Sequence, residues 1–201
     1  GIAPHRIAHI PNGVAIPPAA AYEPLVRAAA RQRLRLSWSR IVLYVGRLSE
    51  EKNLTVLVEA WPHVLERHPE AHLLFVGDGG TFRNVEPELR RQVTRAGLQG
   101  HIHFAGRVED AQDFLLAADL FVLPSSTEGM SNALLEAMAA GLPVVVTRMP
   151  GNLEVVRGAG EGILVEPGDA GAFAAALNEL LAAPAWAAQM GRTARRAVEE
   201  R

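Results

Sequence analysis

The chain of 201 residues predicts an α/β domain built on a doubly wound, parallel sheet of about six strands. Three observations carry this expectation. Short runs rich in Val, Ile, Leu and Phe are apolar throughout rather than alternating, as strands covered on both faces are. Longer segments of helical composition separate them through short connections, the pattern of repeated strand–helix units. Glycine and proline punctuate the junctions: Gly97 and Gly141 stand where helix C-caps are expected, and Pro69 and Pro143 follow helix ends.

The elements follow in order. Residues 1–24, rich in proline and small side chains and holding the turn pair Asn12–Gly13, read as a linker. Residues 22–36 read as a short basic helix carrying Arg27, Arg31, Arg33 and Arg35. A solvated helix face is the plain reading of those arginines, and peripheral contact with an anionic membrane surface the sharper one. Linker and helix together occupy residues 1–35. Strands are expected at 41–46, 72–77, 101–105, 120–123, 143–147 and 162–165, with helices at 53–67, 86–96, 110–118, 131–140 and 170–182. Residues 36–183 are thereby expected to form one Rossmann-like domain. A polar-ended helix over 185–201 has no strand after it and closes the chain as a separate element, residues 184–201.

Composition excludes several classes. A chain of this length buries about 70% of its unfolded surface and needs no covalent staples. It has no cysteine, so disulfides, cysteine-ligated zinc, iron–sulfur clusters and thiol nucleophiles are all ruled out. A net charge of −2 argues against a nucleic-acid partner. No apolar run approaches the roughly 18 residues of a membrane span, and no secretory signal opens the sequence, which places the expected location in the cytoplasm. The chain begins at Gly1, as an excised fragment would. Among the 20 basic residues Lys52 is the one lysine. A genome bias toward arginine with one lysine surviving by chance is the bland reading; a compact point charge retained for function at that position is the sharper one.

Ligands of open parallel sheets bind at the carboxyl ends of the strands, so the loops there are searched first. After the first strand, Gly46-Arg47-Leu48-Ser49-Glu50-Glu51-Lys52-Asn53 puts two cations beside a glycine that permits close backbone approach. That suits a diphosphate, Arg47 gripping two oxygens and Lys52 neutralising charge. An ion-paired loop involving Glu50 and Glu51 is the competing reading. Gly77-Asp78-Gly79-Gly80 falls short of a dinucleotide fingerprint, because Phe82 stands where a third glycine is needed; a plain strand-to-helix turn is the favoured reading and a tight turn opening an approach to ligand the alternative. In Gly106-Arg107-Val108-Glu109 the guanidinium can stack on a base; a surface arginine is the alternative.

The fourth loop, residues 124–136, is the most informative. Ser131 or Asn132 can cap the following helix, leaving amides around Met130, Ser131, Asn132 and Ala133 as an anion site assisted by the helix dipole. Glu128 lies in the loop, and Glu136 is the one charge in a helix otherwise made of Leu, Ala and Met. A helix so apolar packs on the sheet, so that carboxylate is expected to face a polar cleft. Two carboxylates beside an amide-lined anion site suit a polyhydroxylated ligand carrying phosphate; a capping loop plus one solvated glutamate is the bland alternative. A serine hydrolase is excluded, since Gly129-x-Ser131-x-Ala133 lacks its last glycine and no histidine follows His103. His101 and His103 sit at strand spacing without carboxylate company, and there is no Asp-x-Asp, so no metal site is expected.

Taken together these segments closely resemble the C-terminal, donor-binding domain of glycosyltransferase family 4, retaining enzymes of the GT-B fold. The resemblance rests on Pro11-Asn12-Gly13-Val14, Tyr44-Val45-Gly46-Arg47-Leu48-Ser49 with Lys52-Asn53, Val76-Gly77-Asp78-Gly79 and Phe104-x-Gly106-Arg107-Val108. It continues through residues 118–125, the Glu128-x7-Glu136 element and Gly141-Leu142-Pro143-Val144-Val145. It implies one half of a GT-B fold binding a UDP- or GDP-sugar, with no cofactor and no metal. By position, Arg47 and Lys52 would neutralise the departing diphosphate and Glu128 would face the transferred sugar. Glu136 would hold the ribose hydroxyls. Met130, Ser131, Asn132 and Ala133 would bind phosphate and sugar, and Arg107 and Val108 would surround the base. The implied mechanism is front-face substitution with retention, in glycan, polysaccharide or glycolipid biosynthesis. The resemblance also implies a missing partner, the N-terminal acceptor domain, without which the chain binds donor but transfers nothing. The helix over 185–201 would cross back onto that half. A non-catalytic nucleotide-sugar-binding module and a nucleotide-sugar epimerase are the alternatives.

Overall fold

The computed structural model describes residues 12–81, 83–158 and 160–201; the linker reading of residues 1–11 lies outside them. Six strands form one parallel sheet: β1 (Arg40–Val45), β2 (Ala71–Val76), β3 (Ile102–Gly106), β4 (Leu120–Leu123), β5 (Val144–Thr147) and β6 (Ile163–Val165). Their order is β3-β2-β1-β4-β5-β6, so the winding reverses between β1 and β4. β1 pairs with β2 from Arg40↔Ala71 to Val45↔Val76 and with β4 at Val42↔Leu120 and Leu43↔Phe121. Every residue of β4 and β5 is buried, which is why these strands read as continuous apolar runs. The expected strands thus form, β1 and β2 ending one residue earlier because Gly46 and Gly77 leave the extended region at φ +150 and +128.

The helices are α1 (Pro24–Arg33), α2 (Thr55–Leu65), α3 (Glu86–Arg95), α4 (Gln112–Ala117), α5 (Asn132–Ala139), α6 (Pro150–Val155), α7 (Ala170–Ala182) and α8 (Pro184–Glu199). Right-handed crossovers on the two sides of the reversal put α2 and α3 on one face and α4 and α5 on the other. In keeping with this, α2 neighbours α3 and α7, while α1 packs on α4. The segment expected to be a helix from residue 53 opens instead with a short 3-10 turn, Glu50–Lys52, closed by Asn53 in the left-handed region at φ 48. α4 starts late because the Asp110 carboxylate accepts the Gln112 N–H at 2.8 Å. α6 was not expected at all.

The basic residues divide: Arg27 and Arg31 are largely covered, while Arg33 and Arg35 stay exposed as a solvated face would have them. Arg27 and Arg31 each pair with Asp119 at 2.6 Å, and Asp119 also accepts the Ile41 N–H at 2.7 Å. Arg33 pairs with Asp113 of α4 at 2.6 Å. The arginines therefore clamp the helix onto the start of β4, with Asp119 only 8% exposed. No helix among the described residues is long and apolar enough to cross a membrane.

The last helix, expected over 185–201, forms as α8 and lies along α5 and α7 of this domain. A Cβ on Gly191 would come within 2.1 Å of the Gly141 carbonyl oxygen, so helix and β5 approach are backbone to backbone. Arg195 donates to the carbonyls of Pro17 and Ala139 at 2.7 and 3.1 Å, and Arg201 pairs with Glu161 at 2.5 Å. At the amino end of the sheet, Trp38 stacks on His72 and His103, whose ring nitrogens lie 3.0 Å apart, with the His101 ring beside them.

Candidate functional site

The reversal between β1 and β4 opens a crevice at the carboxyl ends of the strands. Its floor is made by glycines. A Cβ on Gly77 would meet the Gly46 carbonyl oxygen at 2.0 Å, so the β1 and β2 loops touch through bare backbone. The Leu48 N–H donates to the Asp78 carbonyl at 2.8 Å, and the Gly77 N–H to that of Gly106 at 2.8 Å, aligning three loops side by side. The Gly77–Gly80 segment is thus a close-packing device rather than a plain turn.

The cations stand on the β1 loop. Arg47 is exposed, its main-chain carbonyl fixed by the Tyr44 hydroxyl at 2.7 Å and its guanidinium 3.1 Å from Glu51. Lys52 reaches across the crevice to Glu128 at 2.6 Å, the two side chains 16% and 10% exposed. The ion-paired reading of this loop therefore holds for Arg47 alone. Lys52 pairs with the carboxylate that the β4 loop supplies, in surroundings shielded enough to strengthen the attraction.

Ser131 caps α5, its hydroxyl accepting the Leu134 N–H at 3.4 Å. Asn132 is left to the mouth of the crevice, where its side-chain oxygen accepts from Asn12 at 2.8 Å; Asn12 also donates to the Met130 carbonyl at 3.1 Å. The loop is held from behind as well. Its Ser126 N–H and hydroxyl both donate to the Glu51 carbonyl, at 2.9 and 3.2 Å. Thr147 donates to the Ser125 carbonyl at 2.6 Å, and a Cβ on Gly151 of α6 would lie 1.9 Å from the Gly129 oxygen.

Two adjoining clefts result. One, of about 910 Å³, is lined by Gly46, Arg47, Gly77, Arg107, Val108 and Glu136 among others. The second, of about 300 Å³, is lined by Arg47, Lys52, Glu128, Met130, Ser131, Asn132 and Ala133 with Gly46. Each residue given a donor-binding role by the sequence lines one or the other, and Val45, Gly46, Arg47 and Asn132 line both. Glu136 is half-buried, and burial, followed by the negative charge of Asp110, pushes its carboxyl above the usual range. The sequence marks Asn12 only as a turn residue and Glu51 only as a counter-charge, not as supports of the site. Ser126, Thr147 and Gly151 carried no signal.

The glycosyl transferases group 1 family matches residues 39–183. A lipopolysaccharide core biosynthesis glycosyltransferase of Rhizobium meliloti, LpsE, is 37% identical over 142 residues, covering 71% of this chain and 39% of that protein. A GDP-mannose-dependent monoacylated alpha-(1-6)-phosphatidylinositol monomannoside mannosyltransferase of Corynebacterium glutamicum is 33% identical, over 95% of this chain and 51% of its own length. The crystal structure of Anabaena HepE in complex with UDP and glucose superposes with a TM-score of 0.83 at 28% identity, covering 94% of this chain and 51% of that one. The chain thus spans about half the length, or less, of these relatives. Six parallel strands in this order, a crevice at the reversal and a match over most of the sequence converge: the chain belongs to the glycosyl transferases group 1 family.

Proposed function

We propose that the crevice binds a nucleoside-diphosphate sugar, linked to UDP or GDP, and that the domain is the donor half of a retaining glycosyltransferase of the GT-B type. The observation that carries this is the arrangement of Arg47 and Lys52 opposite Glu128, beside the capped amino end of α5 and in a cleft adjoining the one that Glu136 lines. In this reading the diphosphate lies between the cations and the α5 amides. As the bond between sugar and phosphate lengthens, negative charge grows on the leaving group, where Arg47 and Lys52 stabilise it. Glu128 is placed to balance the positive charge developing on the sugar. Glu136 accepts hydrogen bonds from the ribose hydroxyls, while Arg107 and Val108 border the base. Retention follows from front-face attack, the leaving phosphate taking the acceptor proton, so positioning and charge stabilisation do the catalytic work. The two side-chain cations fill the role a divalent metal plays elsewhere, and no metal is required.

Relatives that carry UDP and GDP-mannose in their descriptions support a nucleotide donor without choosing its base. The acceptor would be bound by an N-terminal domain. Relatives named for lipopolysaccharide core biosynthesis and for a phosphatidylinositol monomannoside support an acceptor of glycolipid type, and peripheral contact at the inner face of a membrane is part of the same proposal. Arg27 and Arg31 of α1, engaged with Asp119, would not supply that contact. The chain alone is expected to bind donor and show no measurable transfer. Calorimetric titration with UDP, GDP, UDP-glucose and GDP-mannose tests the reading. One nucleotide series is expected to bind, about tenfold more weakly in Lys52→Ala and Glu136→Ala. Failure of all four to bind would overturn it.

A further inference from the structure

We propose that Glu51 is a positioning residue: its carboxylate aims Arg47 at the diphosphate, and its main chain joins the cation loop to the loop bearing Glu128. The inference rests on the donor-site reading above and adds a residue to it. Arg47 is 63% exposed, so its long side chain would range through solvent unless something held it. Among the described residues the carboxylate paired with it is Glu51, whose Oε1 accepts from the guanidinium at 3.1 Å and from the Ser49 hydroxyl at 2.8 Å. Ser49 is fully buried, so its hydroxyl has no solvent alternative and fixes the carboxylate in turn. One nitrogen of a five-donor fork is thereby committed, leaving the rest to both clefts that Arg47 lines.

Three further features fit. The Glu51 carbonyl accepts both the N–H and the hydroxyl of Ser126, so one residue holds the two loops that must close on the donor. Hydrogen bonds from its own main-chain N–H and from Ser49 keep its carboxyl below the usual range, so it stays charged. Its Oε2 is buried, with no hydrogen-bond partner among the described residues.

The test compares the wild-type chain with Glu51→Gln, Glu51→Asp, Arg47→Ala and the Arg47→Ala/Glu51→Gln double variant. In the ligand-free protein, the heteronuclear NOE of the Arg47 Nε–Hε group, assigned by its loss in Arg47→Ala, is expected to fall in Glu51→Gln to that of a freely moving side chain. Affinity for whichever of UDP and GDP binds is expected to drop about tenfold in Glu51→Gln, with affinity for the parent nucleoside unchanged and partial recovery in Glu51→Asp. In the Arg47→Ala background the Glu51→Gln change should add nothing. An unchanged Arg47 signal, a parallel loss of nucleoside and diphosphate binding, or additive effects in the double variant would each overturn the proposal. If the wild type binds neither nucleotide, the donor-site reading fails, while the NOE still decides whether Glu51 holds Arg47.

Discussion

Glu136 projects from an apolar helix into a cleft, and its ionised form is the one that burial and Asp110 disfavour. A carboxyl raised in this way binds its proton more tightly folded than unfolded, so its ionisation lowers stability at neutral pH and that loss is relieved as pH falls through the raised value. Glu136→Gln is therefore expected to leave the melting temperature of the ligand-free domain unchanged or up to about 2 °C higher, while weakening nucleotide binding; a melt and a titration on the same sample check both. Lys52 has the opposite sign. Removing it leaves Glu128, 10% exposed, without its partner. Lys52→Ala is expected to cost about 2 kcal/mol, a fall of roughly 4–8 °C in a scanned melt. These residues were legible because the chemistry of a cation pair and a lone helical carboxylate shows in the sequence itself. Asn12 was not, since its partner Met130 lies 118 residues away, and neither was the hold of Glu51 on Ser126, 75 residues apart. Such pairs exist only once the sheet has brought β1, β4 and the linker together.

At the scale of elements, α6 shows where pattern reading stops. Six residues give less than two helical turns, too few for a periodic apolar face, and Pro150 and Gly151 argue for a loop. Yet α6 buttresses the loop that carries Glu128. Gly151 stands against the carbonyl oxygens of Gly129 and Glu128, and Asn152 donates to the Thr147 carbonyl at 2.9 Å. Gly151→Ala is expected to push that loop outward, at a cost of about 1–3 kcal/mol, with a matching loss of nucleotide affinity. A melt that falls while affinity holds would show α6 to be a structural prop alone. The central strands β1, β4 and β5 were legible almost to the residue because burial on both faces writes itself into a run of apolar side chains. The destination of α8 was not, because an amphipathic helix reports that it packs and not on what.

For the whole molecule, the histidines at the amino end of the sheet set an acid limit. Burial first, and then the charges of His103 and His101, lower His72 from 6.5 to about 4; His103 is lowered as well. A histidine that stays neutral when folded but takes a proton when unfolded lowers stability as pH falls through that interval. The melting temperature is expected to decline from pH 6.5 to about 4, and His72→Gln to flatten the decline. A slope unchanged by the substitution would assign it to the carboxylates instead. This cluster lies at the sheet end opposite the crevice, so nucleotide affinity measured at pH 6 and 7.5 should not track it. The composition that favoured arginine elsewhere leaves a practical gift at the other end. Lys52 carries the chain's one side-chain amine, and it sits inside the crevice against Glu128. Reductive methylation with isotopic carbon would mark that nitrogen with a single resonance, and acylating reagents would find one side-chain target. Whatever enters the cleft would then announce itself, through that signal or by shielding the amine from the reagent.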